Sequence, residues 1–267
     1  AEQIRHWTIT RGKLIVVPQA NKPALQNRTR RMPSLPRDRS DLNRNFPKTD
    51  GETSRCTLST ALWALVCSHR PDWLLDLHEG SDFTQINKES VGSSIIAAKS
   101  TEAKKKAYRM LEALNDTIEE PEKKFILKSP PANGSLARAA ADSLQIKSMI
   151  LETTMKDQPL SLRARQHRIM VHRFLTDLRM VSGNVDVLVN AGNRSNVIYV
   201  ALYDAGGVGH KGPTELEKDL GELVDVVVRR VGSPEIRSGA LKQFDVLIIP
   251  GGSGSKQARA LGTDGCR

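Results

Sequence analysis

The chain has 267 residues, enough for one large core or two smaller ones. Its 39% apolar content and mean hydropathy of -0.39 describe an ordinary globular protein, and no run of about 18 uncharged apolar residues exists to cross a bilayer. Forty Lys and Arg against thirty Asp and Glu leave a net charge of +10, which favours acidic partners, but aromatic residues are only 4%, too few to stack bases, so nucleic acid is not an expected partner.

The first residues, AEQIRHWTI, read as a helix, so a signal peptide or transit sequence would lie upstream of Ala1 and localisation is not readable. LIVVP at 14–18 is β-branched and closed by proline, which predicts a buried strand. Residues 19–54 form a long polar connection with Pro23, Pro33, Pro36 and Pro47 and the arginines 28, 30, 31, 37, 39 and 44. Connections of that length are often functional. SRCTLSTALWALVCSHR predicts a helix, and WLLDLH at 73–78 a second buried strand with His78 at its end. After a polar stretch, a Lys-rich helix near 101–119 carries a solvated charged face. KSMILE at 147–152 predicts a third strand ending on Glu152, and an amphipathic helix covers about 160–181. Strand and helix alternating in this way imply an α/β sheet flanked by helices.

Residues 183–196 read as a linker between a domain at 1–182 and a second α/β unit at 197–267. In that unit VIYVALYD is a strand, AGGVGHKG a glycine-rich loop, Pro213 opens a helix, and VDVVVRRV and FDVLIIP are further strands before Pro250-Gly251-Gly252. The glycine spacing matches a dinucleotide fingerprint only in part. Cys56, Cys67 and Cys266 are too scattered for a disulfide framework or a structural zinc site.

Asn43-Arg44, His78 and Glu152 stand in the long loop or at strand ends, where ligands of α/β sheets gather. A His, a Glu and a forked Arg suit hydrolysis at a carbonyl beside a carboxylate: the first to hold a metal, the second to take a proton from water, the third to anchor the anion. Each also has a plainer explanation: a satisfied core histidine, a structural ion pair, a turn asparagine beside a surface cation.

DLNRNFP at 41–47, DLHEG at 76–80 and ILET at 150–153 resemble, in order and spacing, the zinc metallocarboxypeptidases, including the succinylglutamate desuccinylase and aspartoacylase branch. That resemblance implies a three-layer αβα domain. It also implies that Asn43 and Arg44 bind the substrate carboxylate, that His78 is the third ligand of one zinc ion, and that Glu152 is the general base. RTRRMP at 28–33 is similar to the family's arginine loop, which makes Arg28 the first candidate for stabilising the oxyanion and Arg30 the next. The substrate implied is a peptide or N-acyl amino acid with a free carboxylate.

The family's H-x-x-E motif, which supplies the other two zinc ligands, is absent from the sequence and would precede Ala1; a late catalytic tyrosine also has no counterpart between Tyr108 and Tyr199. The chain as given is therefore expected to be inactive by itself, with C-terminal peptide cleavage expected of the intact enzyme. An acyl-amino-acid hydrolase and a non-catalytic carboxylate-binding module are the alternatives. His6, His69, His167, His172 and His210 read as ordinary helix or loop residues. The second unit resembles the start of a flavodoxin-like, class I glutamine-amidotransferase-like domain of the biotin-protein-ligase N-terminal type, ending before a nucleophile elbow is reached.

Overall fold

The computed structural model describes Ile4 and residues 7–181, 198–223 and 226–266. The predicted opening helix falls largely outside these residues, and 7–9 are not helical. The predicted strand at 14–18 is absent as well. Ile15 and Val17 are 43% and 41% exposed, and among the described residues no strand pairs with this run. A β-branched sequence becomes a strand only when a neighbour completes its ladder.

Within the long connection lie helix α1 (Lys22–Gln26) and a 3-10 turn over Leu42–Arg44, whose entry is fixed by the Asp41 side chain accepting from the Asn43 N–H at 3.2 Å. Then follow α2 (Thr57–His69), β1 (Trp73–Gly80), β2 (Ser94–Ala97), α3 (Thr101–Asn115), β3 (Ile126–Lys128), α4 (Leu136–Leu144), β4 (Lys147–Thr154) and α5 (Leu160–Asp177). The strands form one mixed sheet in the order β1-β4-β2-β3, with β1 and β4 parallel and β2 antiparallel to β4.

Side-chain alternation divides the sheet into two apolar faces. Ile95, Ala97, Met149 and Leu151 pack beneath α3 and α5, against Ala107, Met110, Leu114, Met170 and Phe174. Leu74, Ile96 and Ile150 face the other way, against Val66 of α2 and Ala137 and Ala140 of α4. Helices therefore cover both faces. On α3, Lys104 and Lys105 are exposed while Ala103 and Ala107 are buried, and Lys106 donates to the Asp177 carbonyl oxygen of α5 at 3.0 Å.

The second unit comprises β5 (Ile198–Tyr203), α6 (Gly212–Gly221), β6 (Val226–Val231), α7 (Ser233–Arg237), β7 (Val246–Ile248) and α8 (Gly254–Gly265). Its three strands are parallel in the order β6-β5-β7. Val200, Leu202 and Val228 pack towards Leu216 and Leu220 of α6, while Tyr199, Ala201 and Tyr203 pack towards Ile236 and Ala240. The predicted linker at 183–196 lies outside the described residues.

Candidate active site

In the parallel register of β1 and β4, His78 is paired with Glu152 and Asp76 with Ile150. Asp76, His78 and Glu152 thus share the face that carries Leu74 and Ile150, near the carboxyl ends of both strands. Asp76 and His78 are two residues apart on one strand, which puts both side chains on the same side.

The His78 Nε2 lies 2.9 Å from Asp76 Oδ2, with the two side chains 25% and 19% exposed. Burial opposes the imidazolium, but the Asp76 carboxylate, by its charge and hydrogen bond, and the charge of Glu152 outweigh it and push His78 up to about 9. Glu152 moves the same way for a different reason. Burial raises it to about 7, against the opposing pull of His78, Arg30 and Arg44. Its Oε2 is buried and has no hydrogen-bond partner among the described residues. A sealed carboxylate oxygen without a donor is costly unless a ligand or water supplies one.

Asn43 closes the site from the 3-10 turn. Its Oδ1 accepts from the Leu136 N–H at 2.9 Å, which fixes the amide orientation, and its Nδ2 lies 3.3 Å from His78 Nε2. Asp76 and Asn43 thus meet the same ring nitrogen of His78. Arg44 donates from Nη1 to the Asn43 carbonyl at 2.6 Å, and its charge acts on Glu152. Gly134 permits this arrangement: it has φ of 77°, and a Cβ there would come within 2.8 Å of the Arg44 carbonyl oxygen.

The two arginine candidates of the 28–33 loop lie in different surroundings. Arg30 is held by Asp41 at 3.1 Å, and its charge bears on both His78 and Glu152. Arg28 is exposed at the end of α1, with a left-handed φ of 52°. Of the two, Arg30 is the cation that the electrostatics connects to the His78–Glu152 pair.

One contributor is missing from the sequence reading. His167, on α5, has its Nε2 3.1 Å from the His78 carbonyl oxygen and 3.3 Å from Thr153 Oγ1. It contacts β1 and β4 from the face opposite Glu152. Only the tertiary packing of α5 could have revealed it, since a histidine within an amphipathic helix carries no local signal.

Among the described residues no group of three His, Cys, Asp or Glu side chains is arranged to hold a metal ion. A catalytic zinc needs three protein ligands, so His78 with its neighbours does not fit one by itself. No described helix is long and apolar enough to cross a membrane.

The family model for the succinylglutamate desuccinylase/aspartoacylase catalytic domain matches residues 1–175. Among solved structures, the chain is similar to product-bound Cell Shape Determinant protein Csd4 from Helicobacter pylori, with 21% identity and a TM-score of 0.52 over 66% of this chain and 46% of that one. The Gln46His variant of the same protein gives 21% identity and a TM-score of 0.50, again over 66% and 46%. These likenesses concern the fold, and the chain spans less than half the length of either structure. A search of curated proteins returns no match.

Proposed function

The chain belongs to the succinylglutamate desuccinylase/aspartoacylase catalytic-domain family, and on that premise we propose that its site serves a hydrolase that cleaves an amide bond beside a free carboxylate. The observation that carries this is the pairing of Glu152 with His78 across β1 and β4, next to the amide of Asn43. The side chains of Asn43 and Arg44 bind the substrate carboxylate, the amide by an N–H group and the guanidinium by its fork. Glu152 takes a proton from the water attacking the carbonyl and returns it to the departing nitrogen. A carboxyl held near 7 by burial suits both transfers at neutral pH. Arg30 supplies positive charge on the side where the oxyanion develops.

Zinc is the cofactor that the family resemblance implies, with His78 as one ligand. The residues described supply one ligand of the three required, so the proton transfers are assigned to Glu152 alone. The best-supported substrate class is an N-acyl or N-peptidyl amino acid with its α-carboxylate free. The family match favours the acyl-amino-acid form, while DLNRNFP favours release of a C-terminal residue from a peptide.

Calorimetric titration of the chain with an N-acetyl amino acid and with its α-carboxamide tests the carboxylate site. The acid is expected to bind at least about tenfold more tightly, the value of one charge-assisted hydrogen bond. Equal affinities overturn the assignment. Amino-acid release from acyl-aspartate or acyl-glutamate, compared with a peptide bearing a free C-terminus, distinguishes the two substrate forms.

A further inference from the structure

Helix α5 packs one face on the sheet, behind the strands that carry the site, and meets the second unit with the other. Residues 163 and 167 are four apart and share a face, whereas 165 is about 200° around the helix from each. On the shared face, Arg163 ion-pairs with Glu79 and His167 reaches the His78 carbonyl oxygen, so α5 holds two consecutive residues at the end of β1. On the opposite face, Arg165 is only 1% exposed and forks onto Glu235 of α7. Its Nε and Nη2 donate to Oε1 at 3.2 and 3.0 Å, and Nη2 donates to Oε2 at 3.1 Å.

The receiving side is shaped for this guanidinium. Glu235 Oε2 also accepts from the Gly232 N–H at 3.0 Å, which fixes the carboxylate. A Cβ on Gly232 would collide with Arg165 Nη2, so the close approach depends on glycine at that position. A second link ties the units elsewhere: Glu119, after α3, accepts from the Gly207 N–H at 2.8 Å. A buried guanidinium without its carboxylate is strongly destabilising, so docking at Glu235 is a condition for α5 to keep Arg165 inside.

We propose that the second α/β unit sets the geometry of the candidate active site through α5, with His167 as the residue that positions His78 and the Arg165–Glu235 fork as the clamp that holds the helix. The coupling takes its functional meaning from the hydrolase assignment, but it is a physical relationship that can be measured without turnover. In this arrangement Thr153, which alternates with Glu152 on β4, lies on the α5 side and completes the support beneath His78.

The test uses the full 267-residue chain with isotope-labelled histidine, whose six ring signals are assigned by single substitutions including His78→Gln. Three variants are compared at one pH. His167→Phe removes the donor, His167→Gln keeps an N–H at a similar reach, and the double change Arg165→Met with Glu235→Leu replaces the buried fork by apolar packing, an exchange that is often neutral or stabilising. The expected result is a displaced or multiplied His78 ring signal in His167→Phe and in the double variant, and a signal close to the original in His167→Gln. An unmoved His78 signal in His167→Phe or in the double variant overturns the proposal, whether or not the second unit remains folded. Failure of an N-acetyl amino acid to bind the original chain would count against the hydrolase assignment alone, because the comparison of ring signals is independent of it.

Discussion

Glu152 and His78 are register partners on adjacent parallel strands, so two groups 74 positions apart in sequence face the same side of one sheet. The pairing places a carboxylate that burial discourages from ionising beside an imidazole that Asp76 encourages to protonate.

This gives a pH dependence of stability with a definite sign. Glu152 has a folded value of about 7, above its ordinary 4.5, so between these values the folded chain retains a proton that the unfolded chain has lost. His78, raised from 6.5 to about 9, behaves alike in the next window. Where the folded state binds more protons, stability falls as pH rises. Both contributions are present in full at the acid end of their windows, and they are lost through about 7 for Glu152 and about 9 for His78. For Glu152 the shift corresponds to an effect on the order of 3 kcal/mol. Urea unfolding from pH 4.5 to 9 is expected to show declining stability from this pair, and Glu152→Gln to remove the lower part of the slope. A slope unchanged by that substitution rules out Glu152 as its source.

The same substitution has a catalytic consequence. Glutamine keeps the shape of the side chain but cannot accept a proton, so turnover by the proposed hydrolase is expected to fall by about 10²- to 10⁴-fold. Affinity for the substrate carboxylate is expected to change little, because the proposal gives that end to Asn43 and Arg44. Steady-state kinetics alongside calorimetry separates the two effects; parallel loss of both would make Glu152 a structural residue.

Asp76→Asn isolates the cause of the His78 shift. The amide retains size and removes the charge, leaving burial as the largest influence, and burial disfavours the imidazolium. The His78 titration, followed by NMR of its ring, is expected to move down from about 9 towards or below the ordinary 6.5. A midpoint that stays where it was would mean that another group holds the proton.

The motifs of the candidate site are contiguous in sequence, whereas much of the sheet is not. DLNRNFP and the ends of WLLDLH and KSMILE are contiguous motifs, and the structure brings Asn43, His78 and Glu152 into one neighbourhood. LIVVP misled because periodicity reports β preference, whereas a strand also requires a partner. The strands β2 and β3 and the helix α4 give little signal in the sequence because they are short, with four, three and nine residues. His167 and Arg165 act through contacts 89 and 70 positions away, a distance at which local pattern carries no information.

Gly134 offers a test of how the residues proposed to bind the carboxylate are supported. Its φ of 77° lies in the left-handed region, and its α-carbon packs so closely on the backbone of Arg44 that a methyl group would sit 2.8 Å from the carbonyl oxygen. The Gly134 carbonyl also accepts from the Phe46 N–H at 3.1 Å, and Phe46 is 1% exposed in the cluster beneath the loop. Gly134→Ala therefore imposes backbone strain and displaces the segment bearing Asn43 and Arg44, with an expected stability loss of about 1–3 kcal/mol. Affinity for an N-acetyl amino acid is expected to weaken along with it, whereas Arg44→Lys should lower that affinity by about tenfold while stability stays nearly constant, since a point charge replaces a fork at an otherwise unchanged backbone. Thermal melting and calorimetry on the two variants check the contrast. If Gly134→Ala destabilises the chain but binds the acid as tightly as before, the glycine supports the fold and not the placement of Arg44.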